Sequence, residues 1–535
     1  MKRFLDKAKA TWEDVESTFS SQPQQIPSYE STSATAPPQA PAPADVIRYR
    51  YQHGANLGSI FIMERWLTGN MYPHDAPGSS ELTASKAWVK AEGMQKARER
   101  FERHWAEYVN DHDLDYLRDV AKINAVRLPI GFFTLGPSFC EKTSFEKVAP
   151  VYEHAWPAVK SLVERCHARG IGVLIDVHGL PGSANGQDHS GTDSKDVEFW
   201  GSKKNRALAT KCMAFLAHEV RSMRGVLGLQ IVNEATHNAE GMWDLYDDVL
   251  SIVSQIDPAL PIYISDAWDL PSALGWSMGK NSCRHTHTSS ANPVVVDTHL
   301  YWAFTAEDHA KSPQQIATEV HTKLSELDNR DGNVFERGAC AAFIGEYSCA
   351  LNPATHEKSG GYPKEDFIRD FGWAQSERYQ ARSGGCTFWT FKMDWMPGGE
   401  WGFKEMVDGG KIKAPLCLQL SKDDVHHRLQ NAYAQQVQRR QRTVSKHCQW
   451  WDSNHPSYYE HWRFEQGWDL GWADAVAFFQ MRNQAGLAGA DRIGMLDLWV
   501  LMRLRETGNG VAKFGWEFEL GLRQAVRDFY EAAGV

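Results

Sequence analysis

VLGLQIVNEATHN (Val226–Asn238) is an apolar run of strand length that stops on Asn233 and Glu234. A carboxylate buried there without a partner is costly, because burial disfavours its charged form. Either the strand delivers Glu234 to an open end where chemistry takes place, or the carboxylate has a structural partner. Seven other apolar or β-branched runs accompany it. Together they predict strands over Gly54–Ile62, Ile123–Ile130, Gly172–Gly179, Leu227–Ala235, Pro261–Trp268, Pro293–Tyr301, Ala341–Ser348 and Cys386–Lys392. Helical stretches such as SKAWVKAEGMQKARERFERHWAEYV and NRALATKCMAFLAHEVRSM lie between them. Strands alternating with helices in this way predict an α/β fold, a parallel (β/α)8 TIM barrel enlarged by loops.

Most of the strands end alike. An apolar half is followed by a polar or aromatic cluster: Arg127; Asp176 and His178; Asn233 and Glu234; Asp266; His299 and Tyr301; Glu346; Trp389. In a barrel these ends form one mouth, where active sites are built. One such residue carries little weight; a rim supplied by so many strands is hard to explain by stability alone.

Outside the barrel the chain divides in three. Residues 1–45 read as a short amphipathic helix followed by a disordered linker, SSQPQQIPSYESTSATAPPQAPAPAD, rich in Pro, Ser, Ala and Gln. The catalytic barrel is expected over 46–416 and a C-terminal α-helical module over 417–535. In that module HWRFEQGWDLGWADAVAFF (His461–Phe479) and GWEFELGLRQAVRDFY (Gly515–Tyr530) align with one another. Trp462, Phe464, Glu465, Gly467, Gly471 and Asp474 correspond to Trp516, Phe518, Glu519, Gly521, Ala525 and Asp528. Glycine costs a helix interior about 1 kcal/mol relative to alanine. Small residues four apart therefore predict two helices in close contact at Gly467/Gly471 and Gly521/Ala525.

Bulk properties exclude several classes. A net charge of −10 speaks against nucleic acid, which needs a broad basic face. No apolar run reaches the roughly 18–20 residues that span a membrane. The first residues, MKRFLDKAKATWEDVESTFSS, lack the apolar core of a secretory signal. Asp6, Glu13, Asp14 and Glu16 speak against a transit peptide as well. The nine cysteines are odd in number and scattered, which reads as reduced thiols in a cytoplasmic, intracellular setting.

Glu234 and Glu346 stand on the fourth and seventh predicted strands, which face each other across an eight-stranded mouth. Paired carboxylates are what glycoside hydrolysis requires: one protonates the leaving oxygen, the other attacks the anomeric carbon or activates water. Arg127 beside Glu346 would keep it ionised, and Asn233 would hydrogen-bond a sugar hydroxyl. The competing reading of either glutamate alone is a structural ion pair.

VRLPIGF, DVHGLPGSANGQDHSG, LQIVNEA, DTHLYWAF, IGEYSCAL and FWTFKMDW…EWGF resemble, in order and spacing, the motifs of family 5 glycoside hydrolases. The likeness is greatest to fungal exo-β-1,3-glucanases and related intracellular β-glucosidase-like members, and it covers about residues 50–415. It implies retaining hydrolysis of terminal β-D-glucosyl residues, with Glu234 as acid/base and Glu346 as nucleophile. It also implies that Arg127, His178, Asn233, His299, Tyr301 and Trp389 surround the cleaved sugar, and that Glu64 and Asp188 bind its outer hydroxyls. Phe304 matches one wall of the family's aromatic clamp. Three positions depart: Ala235 replaces Pro after the acid/base, Gln187 replaces the second clamp Phe, and Phe391 replaces a Trp on the eighth strand. The departures favour a small or lipid aglycone over a long glucan, so hydrolysis of steryl glucosides or glucosylceramides is an alternative. Trp302, Trp395, Met396 and Trp401 are expected to line that aglycone's groove. No metal or organic cofactor is implied.

Two motifs compete. GWSMG (Gly275–Gly279) fits a serine-hydrolase elbow around Ser277, but it is expected in a loop without the required strand and helix. Cys283, His285 and His287 hint at a metal but lack a second ligand cluster. A reading of another class is a non-catalytic sugar-binding or scaffold protein, with a protein partner on the C-terminal helices.

Overall fold

The computed structural model describes residues 38–284, 290–455 and 457–535 of the chain. The expected N-terminal helix and most of its linker, as well as His285 and His287, lie outside the described residues. Eight parallel strands close into a barrel in sequence order. They are β1 (Gln52–Asn56), β2 (Ala125–Gly131), β3 (Gly172–Gly179), β4 (Val226–Gln230), β5 (Ile262–Ser265), β6 (Val294–Trp302), β7 (Ala342–Leu351) and β8 (Gly385–Phe388). Pairing of Gln52 with Gly385 and of Ala55 with Phe388 closes the ring. Nearly every strand residue is buried, as the two covered faces of a parallel sheet demand.

All eight expected strands are present, and β3 has the expected bounds. β1, β4, β5 and β8 stop short of theirs, at Asn56, Gln230, Ser265 and Phe388. Asn233, Glu234 and Trp389 therefore sit just beyond the ladder. Glu234 has φ 44°, a left-handed backbone no strand can contain, so pairing ends before it. Ser277 lies within the helix Leu270–Lys280, where its Oγ donates to the Leu274 carbonyl at 3.0 Å. The loop expected there is absent, and so is the strand–turn–helix that a nucleophile elbow needs.

Five helices build the opposite end of the molecule: α1 (Pro43–Tyr49), α2 (Lys422–Asn454), α3 (Trp462–Ala485), α4 (Leu496–Glu506) and α5 (Gly515–Ala533). α1 straddles the boundary expected at residue 46. A core separate from that of the barrel wall joins Val46 and Tyr49 to Trp468, Trp472, Trp499 and Leu522 of the module. The same core contains Ala125, Leu174, Leu227, Tyr263, Val295 and Phe343, all from the early residues of β2 to β7. The module thus caps the N-terminal end of the barrel and leaves the C-terminal mouth open. Arg50, fully buried, ties the two parts by donating to the carbonyls of Ala488, Asn124 and Gly170, each at 2.8 Å.

α3 and α5 cross where the aligned motifs place their glycines. A Cβ on Gly467 would lie 2.1 Å from the Phe518 carbonyl oxygen, and one on Gly521 would lie 2.1 Å from that of Phe464. The aligned glutamates do different work. Glu519 accepts hydrogen bonds from the backbone N–H of Val334 and Phe335, at 2.9 and 2.8 Å, and so holds a barrel loop. Glu465 pairs with Arg440 inside the module. Among the described residues no helix is long and apolar enough to cross a membrane.

Candidate active site

At the C-terminal mouth a cavity of about 710 Å³ is lined by Glu64, His178, Glu234, Tyr301, Glu346 and Trp389. Glu346 comes from β7 and is buried. Its Oε1 accepts from Arg127 at 2.8 Å and its Oε2 from the Tyr301 hydroxyl at 2.7 Å. Arg127 also donates to Asn56, Asn233 and Gln230 and pairs with Asp176 at 3.0 Å. Burial works against its charge, but the Asp176 and Glu346 carboxylates outweigh it and hold the guanidinium charged.

Glu234 stands opposite. His299 Nδ1 lies 2.9 Å from its Oε1, and His299 Nε2 lies 3.1 Å from Asp297. Burial disfavours charge on His299, yet Glu346 and Asp297 lift its pKa well above the usual range, so the ring is an imidazolium. Burial acts to raise the Glu234 pKa, but the His299 hydrogen bond and the charges of His189 and His299 prevail and draw it to about 2. One carboxylate oxygen of Glu234, one of Glu346 and a ring nitrogen of His299 lie within 4.8 Å of one another. Glu64 accepts from Trp66 Nε1 at 2.8 Å, and burial pushes its pKa up to about 7 against the charge of His189.

The structure brings Glu64, Arg127, His178, Asn233, Glu234, His299, Tyr301, Phe304, Glu346 and Trp389 to this one mouth, by lining the cavity or by direct bonds to its lining. It does not bring Asp188 there. That carboxylate faces outward to Lys195 at 3.1 Å, and its neighbour His189 occupies the cavity wall instead. The reason is local: Asp188 opens a one-turn helix, Asp188–Ser190, in which successive side chains point apart. Trp302 is likewise not at the mouth; it is buried against Phe371. Trp395, Met396 and Trp401 are at the rim or near it, with Trp66 packed on both indoles.

Several site residues escaped the sequence reading. Asp297 and Gln230 complete the network around His299 and Arg127, and Asp297 carries the signal of sharing a strand face with His299 two residues on. Trp268 lines the cavity at 55% exposure from a left-handed backbone (φ 65°), directly after Ala267, also left-handed (φ 50°). Two bonds hold this turn, from Trp268 N–H to Asp266 and from Ala267 N–H to Ser265. A bulky residue there is strained, a cost that clusters at ligand sites.

The sequence model of the cellulase family, glycosyl hydrolase family 5, matches residues 82–392. That of the glucan 1,3-beta-glucosidase 3 C-terminal domain matches residues 432–533. The chain is 30% identical to glucan 1,3-beta-glucosidase 3 of Schizosaccharomyces pombe, over 90% of this chain and 95% of that protein. It is 26% identical to a probable glucan 1,3-beta-glucosidase A of Aspergillus niger, over 66% of this chain and 85% of that one. A rutinosidase from Aspergillus niger shares the fold, with a TM-score of 0.53 and 16% identity over 69% of this chain and 99% of that structure. The chain belongs to glycosyl hydrolase family 5, and it is a glycoside hydrolase.

Proposed function

We propose that the enzyme removes terminal β-D-glucosyl residues with retention, by double displacement, using Glu346 as nucleophile and Glu234 as acid/base. The observation that carries this reading is the carboxylate separation, within 4.8 Å between nearest oxygens. Retaining glycosidases hold their carboxyl groups about 5–5.5 Å apart, whereas inverting ones need about 6.5–9.5 Å to admit water. The names of the two relatives, glucan 1,3-beta-glucosidases, support the β-glucosyl group.

The two carboxylates are prepared differently. Glu346 receives bonds from Arg127 and Tyr301, which fix the orientation of its carboxylate toward the anomeric carbon. The negative charge of Glu346 in turn pushes the Tyr301 hydroxyl upward, beyond the effect of burial, so that it remains a donor. Glu234 has a histidine at each oxygen and must take up a proton before the leaving group departs. Glu64, half-buried and readily protonated near neutrality, and Trp389 are suited to grip the sugar.

The exposed rings of Trp66, Trp268, Phe304 and Trp395 around the mouth favour an amphipathic aglycone, small or lipid. An intracellular setting belongs to the same proposal and is supported by nine free thiols. So does a protein partner at the helical module, supported by the exposed Trp450, Tyr458 and Trp462.

The test is hydrolysis of aryl β-D-glucosides by wild type, Glu346→Gln and Glu234→Gln, with azide added. Glu346→Gln is expected to be inactive. Glu234→Gln is expected to lose at least about 100-fold on a poor leaving group and to yield β-glucosyl azide from an activated one. A product glucose released first as the α-anomer overturns retention.

A further inference from the structure

His189 stands between the two histidine-bearing arms of the site, and the proton count around it is restrictive. Arg127 donates to Asn233 Oδ1 at 2.7 Å, which turns the Asn233 amide nitrogen toward His178 Nε2 at 3.2 Å. His178 Nδ1 faces Asp176 Oδ2 at 2.7 Å and can only donate to it. His178 Nε2 is therefore an acceptor. His189 Nδ1 approaches that acceptor at 3.0 Å, closer than the 3.4 Å that separates it from the Asn233 amide nitrogen, so its hydrogen points to His178. The remaining nitrogen of His189, Nε2, faces Glu234 Oε2 at 3.4 Å. Two lone pairs cannot face each other there, so Nε2 and Oε2 share one proton. The contact is longer than a finished hydrogen bond, as catalytic contacts in substrate-free sites commonly are.

We propose that His189 carries the proton to and from Glu234. The inference rests on the reading of Glu234 as acid/base. During glycosylation Glu234 Oε2–H transfers its proton to the departing glycosidic oxygen, and the C–O bond breaks as Glu346 bonds to the anomeric carbon. That proton reaches Glu234 Oε2 from His189 Nε2 once substrate is bound, so glycosylation leaves Glu234 a carboxylate and His189 a neutral imidazole. When water attacks the glucosyl-enzyme, Glu234 takes the water proton and returns it to His189, so the cycle closes with no proton gained or lost.

His299, the other histidine on Glu234, is unsuited to this task. Its two nitrogens are held by Glu234 and Asp297, and its side chain is 4% exposed. The His189 side chain is 20% exposed on the cavity wall and can exchange with solvent. The titratable groups in contact with His189 are His178 from β3 and Glu234 from beyond β4, and the Asp176 and Glu64 carboxylates act on it through space. His237 shares its cavity, and the Asp188–Lys195 pair flanks it.

The experiment compares wild type, His189→Asn and His189→Gln on an alkyl β-glucoside, which needs an acid, and a dinitrophenyl β-glucoside, which does not. Each variant is expected to lose at least about tenfold in kcat/KM on the alkyl substrate, with a shifted pH profile, and little on the dinitrophenyl one. His189→Gln added to Glu234→Gln is expected to cost nothing further. Equal losses on both substrates, an effect on KM alone, or an unmoved pH profile would overturn the relay and leave His189 a binding residue. Thermal melting of each variant separates these outcomes from misfolding. If Glu234→Gln discriminates between the substrates and the His189 variants do not, only the relay fails; if Glu234→Gln does not discriminate, the acid/base reading itself fails.

Discussion

Alanine at Gly467 or at Gly521 is expected to destabilise the protein by about 1–2 kcal/mol, although alanine is the better helix former. The structure sets the magnitude. Each new Cβ would stand 2.1 Å from a carbonyl oxygen of the facing helix. Carbon–oxygen contacts across helix interfaces settle near about 3.3–3.6 Å, so α3 and α5 must part by roughly 1 Å. The obstacle is backbone, and no side-chain rotation relieves it. A gap of about 0.5–1 Å forfeits a quarter to a half of the dispersion well. That loss runs along a seam containing Trp468, Trp472, Phe518 and Leu522. Overpacking of this kind costs about 1–3 kcal/mol, here toward the upper end, and alanine returns about 1 kcal/mol of helix propensity. Gly275 and Gly279 are the control. They lie in the helix Leu270–Lys280, and a Cβ on either would meet nothing within 4 Å. Alanine there keeps the propensity gain and is expected to be neutral or mildly stabilising. Thermal melting and urea titration of the full chain, read by tryptophan fluorescence, compare the four variants. At about 2–4 °C per kcal/mol the difference is readable. If Gly467→Ala melts at or above wild type, or no lower than Gly275→Ala, the close approach of the two helices is refuted.

Three further outcomes follow from the mouth and its supports. Asp188→Asn is expected to leave kcat/KM within about threefold of wild type, because an exposed pair with Lys195 is worth little; a larger loss in steady-state kinetics would return Asp188 to the sugar site. Trp268→Ala is expected to raise KM about 3- to 10-fold for a bulky aromatic or lipid aglycone and to spare methyl β-glucoside, and equal effects on both would deny it an aglycone role. Glu81 is buried, and this pushes its pKa up to about 8 despite bonds from the Met63 N–H and the Tyr152 hydroxyl. The unfolded chain ionises this group near 4.5, so its contribution to stability falls as pH rises from there to about 8. The melting-temperature advantage of wild type over Glu81→Gln should shrink across that window, and a constant difference counts against the assignment.

The rim was legible because a parallel barrel converts strand order into position. Once most of the eight apolar runs ended on a polar or aromatic cluster, Arg127, His178, Glu234, His299 and Glu346 had to meet, however far apart in the chain. What escaped was set by local backbone that periodicity does not encode. Asp188 and His189 are adjacent, and only the one-turn helix at 188–190 decides that the histidine faces inward. Trp268 reaches the mouth through two left-handed residues, and nothing in DAWDL announces that turn. Trp302 read as rim because β6 was expected to end at Tyr301. The strand runs through Trp302, and its alternation turns that ring to the side away from Tyr301.

The position of the helical module also bears on how the site works. It cannot touch substrate, since it covers the early strand residues while the cavity opens at their far ends. Yet β1, only five residues long, spans the whole distance between them. At one end Arg50 bridges Ile493 and binds the Ala488 carbonyl of the module. At the other end Asn56 accepts from Arg127, the cation that orients Glu346, at 3.1 Å, and donates to the Gly345 carbonyl at 2.8 Å. A short strand pinned at both ends transmits a displacement rather than absorbing it, because packed interiors are stiff. The module therefore fixes the base on which the nucleophile's cation rests, and loosening it should cost turnover without altering any residue that meets the sugar.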